Sequence, residues 1–263
     1  MEKALELDST NQEVEEELYT GYFLYDWDLE RVVRFYQTTS KVSFYVNTPI
    51  INIDFALKTG RYQEAIKAID KQLLREPALL GILFCRKAEA LLFLGNRDEA
   101  LDLLNNTTIP YNDNWPYLRE PAKQYFYLGK YEKSKNQLKK ILTQFPNYPP
   151  ILMWLNAVYA QMDGSSEKAY HYLAELQNKY NDGSSGSPAW FLAMYYCTSK
   201  DYEQAFQWLQ KSYDRHEVEM TWLREEPLLA PMRKDPRYKE LYDKVGFSSI
   251  GLPIKPSSEN VIP

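Results

Sequence analysis

Cysteine and histidine are scarce in this chain of 263 residues, which contains two of each. Two cysteines, Cys85 and Cys197, are too few for a disulfide framework, and we expect both to be free thiols. The two histidines, His171 and His216, are far apart in the sequence, and no cluster of metal-ligating residues stands near either. The chain is therefore predicted to use neither a metal nor another cofactor, with both histidines on the surface.

Long apolar runs and an excess of one charge are also missing. No stretch approaches the ~18 consecutive apolar residues of a membrane span, and the N-terminus lacks the apolar run of a signal peptide. Acidic and basic residues are mixed at a net charge of −5, which leaves no basic stripe for nucleic acid. We expect a cytoplasmic segment without membrane or nucleic-acid contact. A periplasmic location would require an upstream signal or membrane span.

The motifs of common enzyme classes are absent as well. The sequence has no HExxH, GxSxG, phosphate-binding glycine loop or dinucleotide fingerprint. Asp26 and Asp28 flank Trp27 as a carboxylate pair of the kind that exchanges protons. A helix-capping pair beside a packed aromatic ring explains them more simply. The sequence therefore indicates a protein that is not an enzyme.

The chain does contain an internal repeat. Six stretches share the pattern apolar-Gly-x-Tyr-x-x-Ala with substitutions, from LYDWDLERV to TSKDYEQA. Their last residues, here called the anchors, follow at steps of 33, 35, 34, 35 and 36 residues: Val32, Ala65, Ala100, Ser134, Ala169 and Ala205. Small or medium residues also stand twelve positions before the anchors: Thr20, Ile53, Ala88, Ala122, Ala157 and Ala193. Two size-restricted positions per repeat favour a closely packed antiparallel helix pair.

Glycine is placed where one helix must end before the next begins. Gly60, Gly95, Gly129 and Gly164 each precede an anchor by five residues. Glycine enters the left-handed conformation at a helix end without steric cost. An apolar residue four positions after each anchor completes the stripe of a half-buried helix. Each repeat is therefore predicted to be a helical hairpin.

These columns resemble the tetratricopeptide repeat, a helix-turn-helix unit of 34 residues, over roughly residues 1–215. The resemblance implies an all-α fold: a right-handed superhelix of about six helical hairpins, with a partial N-terminal repeat and a C-terminal capping helix. The family's usual tryptophan in the first helix is generally replaced, and Pro116 and Pro121 both fall in the first helix of the fourth repeat. That helix should start late or kink, and the helix before it should end near Asn106.

The repeat divides the chain into four parts. Residues 1–10 are interpreted as the end of a truncated preceding repeat, and residues 11–215 as six repeats. A proline-punctuated cap follows over residues 216–247, with a helix beginning at Arg237 that helps to cover the last apolar face. The remaining residues, 248–263, are rich in serine and proline and are predicted to form a flexible tail.

The closing stretch gives the clearest indication of function. Its arrangement W-L-x-x-x-P…P-x-R-x-D-P-R-Y resembles the ends of bacterial regulators in which tetratricopeptide arrays follow a DNA-binding or nucleotide-cyclase domain. The resemblance implies a protein- or peptide-binding module in the regulatory or sensing part of a larger bacterial regulator. An upstream domain of the same chain is a further candidate partner. The alternative is a scaffold in cell-envelope or complex assembly, unrelated to transcription.

In the tetratricopeptide family the first helices line the concave face of the superhelix, and the resemblance implies a ligand groove there. By position this groove contains Asn47, Asp54, Glu89, Arg119, Lys123, Phe126, Trp154, Val158, Gln161, Trp190 and Met194. Arg119 and Lys123 stand one helical turn apart and are expected to reach the same carboxylate of a partner. Trp154 and Trp190 are candidate anchors for an apolar side chain, and packing against neighbouring repeats explains them equally well.

Overall fold

The computed structural model describes residues 12–42, 50–74, 80–106, 115–144 and 149–257, and within these ranges all regular secondary structure is helical. The described residues form thirteen α-helices. These are α1 (Gln12–Gly21), α2 (Leu29–Val42), α3 (Ile50–Lys58), α4 (Tyr62–Leu73), α5 (Leu80–Phe93), α6 (Arg97–Asn106), α7 (Trp115–Tyr127), α8 (Tyr131–Gln144), α9 (Pro150–Met162), α10 (Ser166–Asn181), α11 (Pro188–Thr198), α12 (Tyr202–Asp214) and α13 (Pro236–Lys244). A π-helical turn, Tyr22–Asp26, extends α1, and 3-10 helices span Val218–Trp222 and Pro227–Met232. The predicted all-α class is confirmed for this part of the chain.

The helices pack in neighbouring pairs, α1 with α2 through α11 with α12, which we number as units 1 to 6. Each unit corresponds to one sequence repeat, since each anchor lies in the second helix of its pair. The first helices of successive units also contact one another, in the order α1, α3, α5, α7, α9 and α11. They form a continuous row, and residues far apart in the sequence meet along it.

The turn inside each pair repeats the same backbone conformation six times. Five residues before each anchor the backbone is left-handed, with φ values of +53°, +79°, +86°, +71°, +75° and +61° at Trp27, Gly60, Gly95, Gly129, Gly164 and Lys200. The N–H of the residue after the left-handed one usually donates to the carbonyl five residues before it. This bond satisfies a carbonyl group at the end of the first helix. The predicted glycine turns are confirmed. Trp27 and Lys200 adopt the same turn without glycine, so helix pairing imposes it at some conformational cost.

The two size-restricted columns meet inside the units. No anchor is more than 2 % exposed, and Ala122 twelve residues before Ser134 is fully buried. The Ser134 hydroxyl donates to the Ala122 carbonyl at 2.6 Å, which places the two helices of unit 4 in direct contact. A larger residue at either position would push the helices apart.

Several local predictions can be compared with the structure. The helix before unit 4 ends at Asn106, as predicted, and α7 begins at Trp115 with Pro121 in its interior.

Both cysteines are buried free thiols, as predicted, and burial raises the pKa of Cys85 to about 12. The predicted remnant of a preceding repeat, residues 1–10, lies outside the described residues.

The C-terminal segment, defined here as residues 216–257, differs from the predicted cap in its extent. Its apolar residues are buried as expected, including Leu229 and Tyr238 at 0 % exposure. It also reaches the early units, because the Trp222 ring lies 6.0 Å from that of Phe93 in unit 3. The Tyr127 hydroxyl in unit 4 donates to the Glu226 carboxylate at 2.7 Å. The segment therefore lies along the row of first helices instead of covering only the last unit.

The start of the described chain also touches this segment. The Trp27 ring stacks on His216 with centroids 4.4 Å apart, and His216 Nδ1 lies 2.8 Å from the Tyr25 carbonyl oxygen. The left-handed Gly246 lies beside the Trp27 carbonyl, which a Cβ atom at this position would approach to 3.1 Å. Unit 1 and the segment that follows unit 6 are thereby joined.

The residues predicted to form a flexible tail are held against the fold as far as residue 257. The Tyr242 hydroxyl lies 2.9 Å from the Pro253 carbonyl oxygen. The Arg233 guanidinium donates to the Pro256 carbonyl oxygen at 3.2 Å. The Lys255 ammonium pairs with Glu225 at 2.8 Å. These contacts were not expected from a stretch rich in serine and proline, because they depend on partners elsewhere in the C-terminal segment.

Candidate functional site

A cavity of about 170 Å³ lies between the row of first helices and the C-terminal segment. All its lining residues come from first helices, the π-helical turn after α1, or the C-terminal segment. They are Leu24, Asp54, Lys58, Arg86, Glu89, Phe93, Arg119, Glu120, Lys123, Tyr127, Ile151, Trp154, Trp190, Phe191, Met194, Val218, Glu219, Trp222 and Glu226. All six units contribute to this one site.

The structure brings seven of the eleven predicted groove residues to this cavity: Asp54, Glu89, Arg119, Lys123, Trp154, Trp190 and Met194. Phe126 and Val158 are buried in the core at 3 % and 4 % exposure and do not line it. Gln161 is exposed and lies 3.5 Å from the Tyr195 hydroxyl, away from the cavity lining. Asn47 lies outside the described residues.

Arg86 in α5 is the centre of a buried ion network. Its Nε lies 2.7 Å from Asp54 Oδ1 in the preceding unit, and its Nη1 lies 3.5 Å from Glu89 and 3.9 Å from Glu120. Burial disfavours the charge of Arg86, but the carboxylates of Asp54, Glu120 and Glu89 outweigh burial and raise its pKa. The guanidinium thus links three successive units.

Lys123 and Arg119, the predicted carboxylate-binding pair, are engaged within the molecule. Lys123 Nζ lies 2.8 Å from Glu89 and 3.5 Å from Glu120, and Arg119 Nε lies 3.0 Å from Glu120. Burial opposes ionisation of Glu120, but Lys123, Arg119 and Arg86 together lower its pKa to about 2. A partner's carboxylate would have to compete with these internal carboxylates.

The opposite part of the wall is aromatic. Trp154 and Trp190 are 0 % and 2 % exposed, and the Trp154 ring stacks on Phe191 with centroids 5.7 Å apart. Both tryptophans are therefore part of the packed core as well as the cavity wall. The buried indole N–H of Trp154 has no hydrogen-bond partner among the described residues.

Two charged groups of the lining stand outside the ion network. Lys58 is 5 % exposed, and its Nζ lies 5.2 Å from the Phe23 ring centroid and 5.0 Å from that of Trp222. Within the described chain, neither Lys58 nor the half-buried Glu219 makes an ion pair or a side-chain hydrogen bond. Burial lowers the pKa of Lys58, and the nearby Asp54 and Glu219 carboxylates partly offset this effect.

Glu226 of the C-terminal segment is buried beside the network. It accepts hydrogen bonds from the Tyr127 hydroxyl at 2.7 Å and from the Leu228 N–H at 3.0 Å. Burial raises the pKa of Glu226 in spite of these two bonds. Burial and the negative charge of Glu226 together raise the pKa of the Tyr127 hydroxyl. The hydroxyl–carboxylate contact fastens the segment to unit 4.

Several lining residues were not predicted, although the repeat register contains a signal for them. Arg86 and Glu120 each stand fourteen positions before their anchors, and Lys58 and Tyr127 stand seven positions before theirs. These columns lie on the same helix face as the predicted ones, since their spacing follows the helical period. Trp222 could not be found this way, because it lies outside the repeat.

In the part of the chain that the structure describes, no helix has the length and apolar character needed to cross a bilayer. The same residues contain no group of three or more histidine, cysteine, aspartate or glutamate side chains arranged to hold a metal ion. No protein-family model matches the sequence, and a comparison with curated proteins also gives no match.

Proposed function

We propose that this chain is a peptide-binding module built as a right-handed tetratricopeptide superhelix, and that a partner polypeptide places one residue in the central cavity. The five repeat steps of 33 to 36 residues and the recurring left-handed turn support this family. The observation that carries the function is the convergence of all six units and the C-terminal segment on one cavity. Convergent charged and aromatic side chains in a concavity are typical of binding sites.

The size of the cavity limits what can enter. A cavity of ~150 Å³ holds one benzene molecule, and this one has about 170 Å³. It therefore suits one side chain or one terminal residue of a partner. A longer extended peptide would have to displace the C-terminal segment, which contacts the first helices of units 3, 4 and 6.

Phage display of random peptides on the immobilised protein tests this proposal. The Val218→Trp variant fills the cavity from its half-buried rim and should abolish binding of the selected peptides. Met162→Trp is the matched control, because Met162 is 52 % exposed and does not line the cavity. Circular dichroism melting verifies that each variant is folded, and Leu24→Trp is a second cavity-filling variant. Failure to enrich peptides, or equal binding by the filled and control variants, would refute the proposal.

We also propose that the module belongs to a larger bacterial regulator. The support is the closing motif from Trp222 to Tyr238 and its resemblance to the ends of regulator arrays. Sequencing the genomic reading frame around this segment provides the test. An adjoining DNA-binding or cyclase domain would support the proposal, and a lipoprotein signal would favour the envelope scaffold instead.

A further inference from the structure

We propose that the cavity recognises the α-amino-acid group itself, with Lys58 binding the ligand's carboxylate and Glu219 binding its ammonium. The ligand class is a free α-amino acid with a medium-sized apolar side chain, because only a free amino acid carries both charges on its α-carbon. This inference concerns the same cavity as the proposed function and rests on its being a binding site, but it does not require a polypeptide partner.

The first support comes from the pairing of charges around the cavity. Asp54, Glu89 and Glu120 are neutralised by Arg86, Arg119 and Lys123 at distances of 2.7 to 3.9 Å. Glu226 is satisfied by two hydrogen bonds. What remains among the described lining residues is one cation, Lys58, and one anion, Glu219.

These two leftover groups line the same cavity without a direct contact between their charges. The Glu219 carboxylate favours the charged form of Lys58 through space, whereas no ion pair joins them. A buried ammonium without an anionic partner is costly. A ligand group whose negative end faces Lys58 and whose positive end faces Glu219 would compensate the charges of both side chains.

Charge balance distinguishes this ligand from simpler ones. An anion at Lys58 would leave Glu219 uncompensated and face Glu89 and Glu120 nearby. A cation at Glu219 would leave Lys58 unpaired and face Lys123. A zwitterion satisfies Lys58 and Glu219 together and leaves the existing ion network intact.

The remaining wall defines the side chain of the ligand. Trp154, Trp190, Phe191 and Met194 line the cavity and are buried, and the Trp154 ring stacks on that of Phe191. They present apolar surface without a further charged group, so an aliphatic or aromatic side chain is favoured there. L-Leucine matches these requirements and is the probe of choice.

Isothermal titration calorimetry with three related ligands tests the inference. We expect L-leucine to bind. N-acetyl-L-leucine lacks the ammonium, and L-leucinamide lacks the carboxylate. Each loss should weaken affinity about ten- to hundred-fold, the range of a charge-assisted contact in a buried site. A carboxylate at Lys58 also stabilises its ammonium, so proton uptake on binding is a second readout, measured by repeating the titration in buffers of different ionisation enthalpy.

Two variants assign the contacts. In Lys58→Met, L-leucine and L-leucinamide should bind equally weakly, because the partner of the carboxylate is gone. In Glu219→Gln, the difference between L-leucine and N-acetyl-L-leucine should shrink. Lys67→Met is the matched control, since Lys67 is exposed on α4 and should leave all three affinities unchanged. Glu219→Gln assigns the ammonium contact independently of Lys58→Met.

The outcomes separate this inference from the proposed function. If leucine and its derivatives bind equally, or none binds while selected peptides still bind at the cavity, the amino-acid group is not recognised and only this inference fails. In that case water bridging Lys58 and Glu219 accounts for the geometry. If neither leucine nor peptides bind, both proposals fail. Binding of free leucine without enrichment of any peptide would support this inference and refute the peptide-binding function.

Discussion

Units 2 to 4 and units 5 to 6 contribute equivalent positions to the cavity but different kinds of side chain. The position fifteen residues before the anchor is Arg119 in unit 4, Trp154 in unit 5 and Trp190 in unit 6. Eleven residues before the anchor stand Lys123 in unit 4 and Met194 in unit 6. The repeat therefore decides where a side chain stands in the cavity, and the individual residue decides its chemistry.

The two walls are stabilised by different interactions. The wall from units 5 and 6 depends on close packing, whose loss costs both transfer free energy and a cavity. The wall from units 2 to 4 depends on mutual neutralisation of buried charges, whose partial loss leaves an uncompensated ion. Substitutions on the two walls should therefore differ in size and in their response to pH.

The largest effect is expected on the packed wall. Trp154→Ala removes a side chain that is 0 % exposed and should lower the free energy of unfolding by about 4 kcal/mol. Urea denaturation followed by circular dichroism measures the change. Leu74→Ala is the control, because Leu74 is 87 % exposed, and its effect should stay within about 0.5 kcal/mol. A loss below about 1 kcal/mol for Trp154→Ala would contradict the packing described for this wall.

A somewhat smaller loss is expected at the centre of the charged wall. Arg86→Met removes the partner of Asp54 and should destabilise the fold by about 3 kcal/mol. Adding Asp54→Asn should recover part of this loss, since the carboxylate left without its partner is then neutral. The four proteins of this double-mutant cycle are compared by urea denaturation. Strictly additive losses would show that the two residues are not coupled.

Glu226, which lies beside the charged wall, should make the stability of the fold depend on pH. A carboxyl group whose pKa is raised on folding stabilises the fold below its unfolded pKa, and this contribution is lost as pH rises through the folded pKa. Glu226→Gln removes the titration, so its stability relative to wild type should increase as pH rises from about 4.5. A tenfold difference in the proton affinity of Glu226 between the folded and unfolded states corresponds to about 1.4 kcal/mol. A difference that is constant between pH 4 and 8, measured by urea titrations, would contradict a raised pKa.

The smallest effect is expected at Lys58, with the opposite dependence on pH. A lysine whose pKa is lowered on folding destabilises the fold below the folded pKa, and this penalty disappears as pH rises towards the unfolded value of 10.5. Lys58→Met should therefore be more stable than wild type by about 1 kcal/mol at pH 7. The advantage should vanish near pH 10.5. Melting curves of the variant and the wild type at pH 7, 9 and 10.5 measure this difference. A variant that melts at a lower temperature than wild type at all three pH values would show that Lys58 does not destabilise the fold.

Much of the local structure could be predicted because it depends on short-range chemistry. A left-handed turn before each anchor follows from glycine at four of the six positions, and buried small residues follow from their regular spacing. Seven groove residues also reached the cavity, because a helix carries its side chains to fixed directions. What could not be predicted is the pairing of Lys123 with Glu89, which converts an expected partner-binding group into an internal one.

The sequence by itself determined the helical class, the six pairs and the positions of their turns, because each depends on residues within about one repeat of each other. Only the tertiary structure decided that the C-terminal segment lies along the row of first helices and encloses a cavity there. Contacts such as that of Trp222 with Phe93, or of His216 with Trp27, join residues separated by more than a hundred positions. No local period encodes such contacts, and they form because the apolar surface of the segment is buried best against that row.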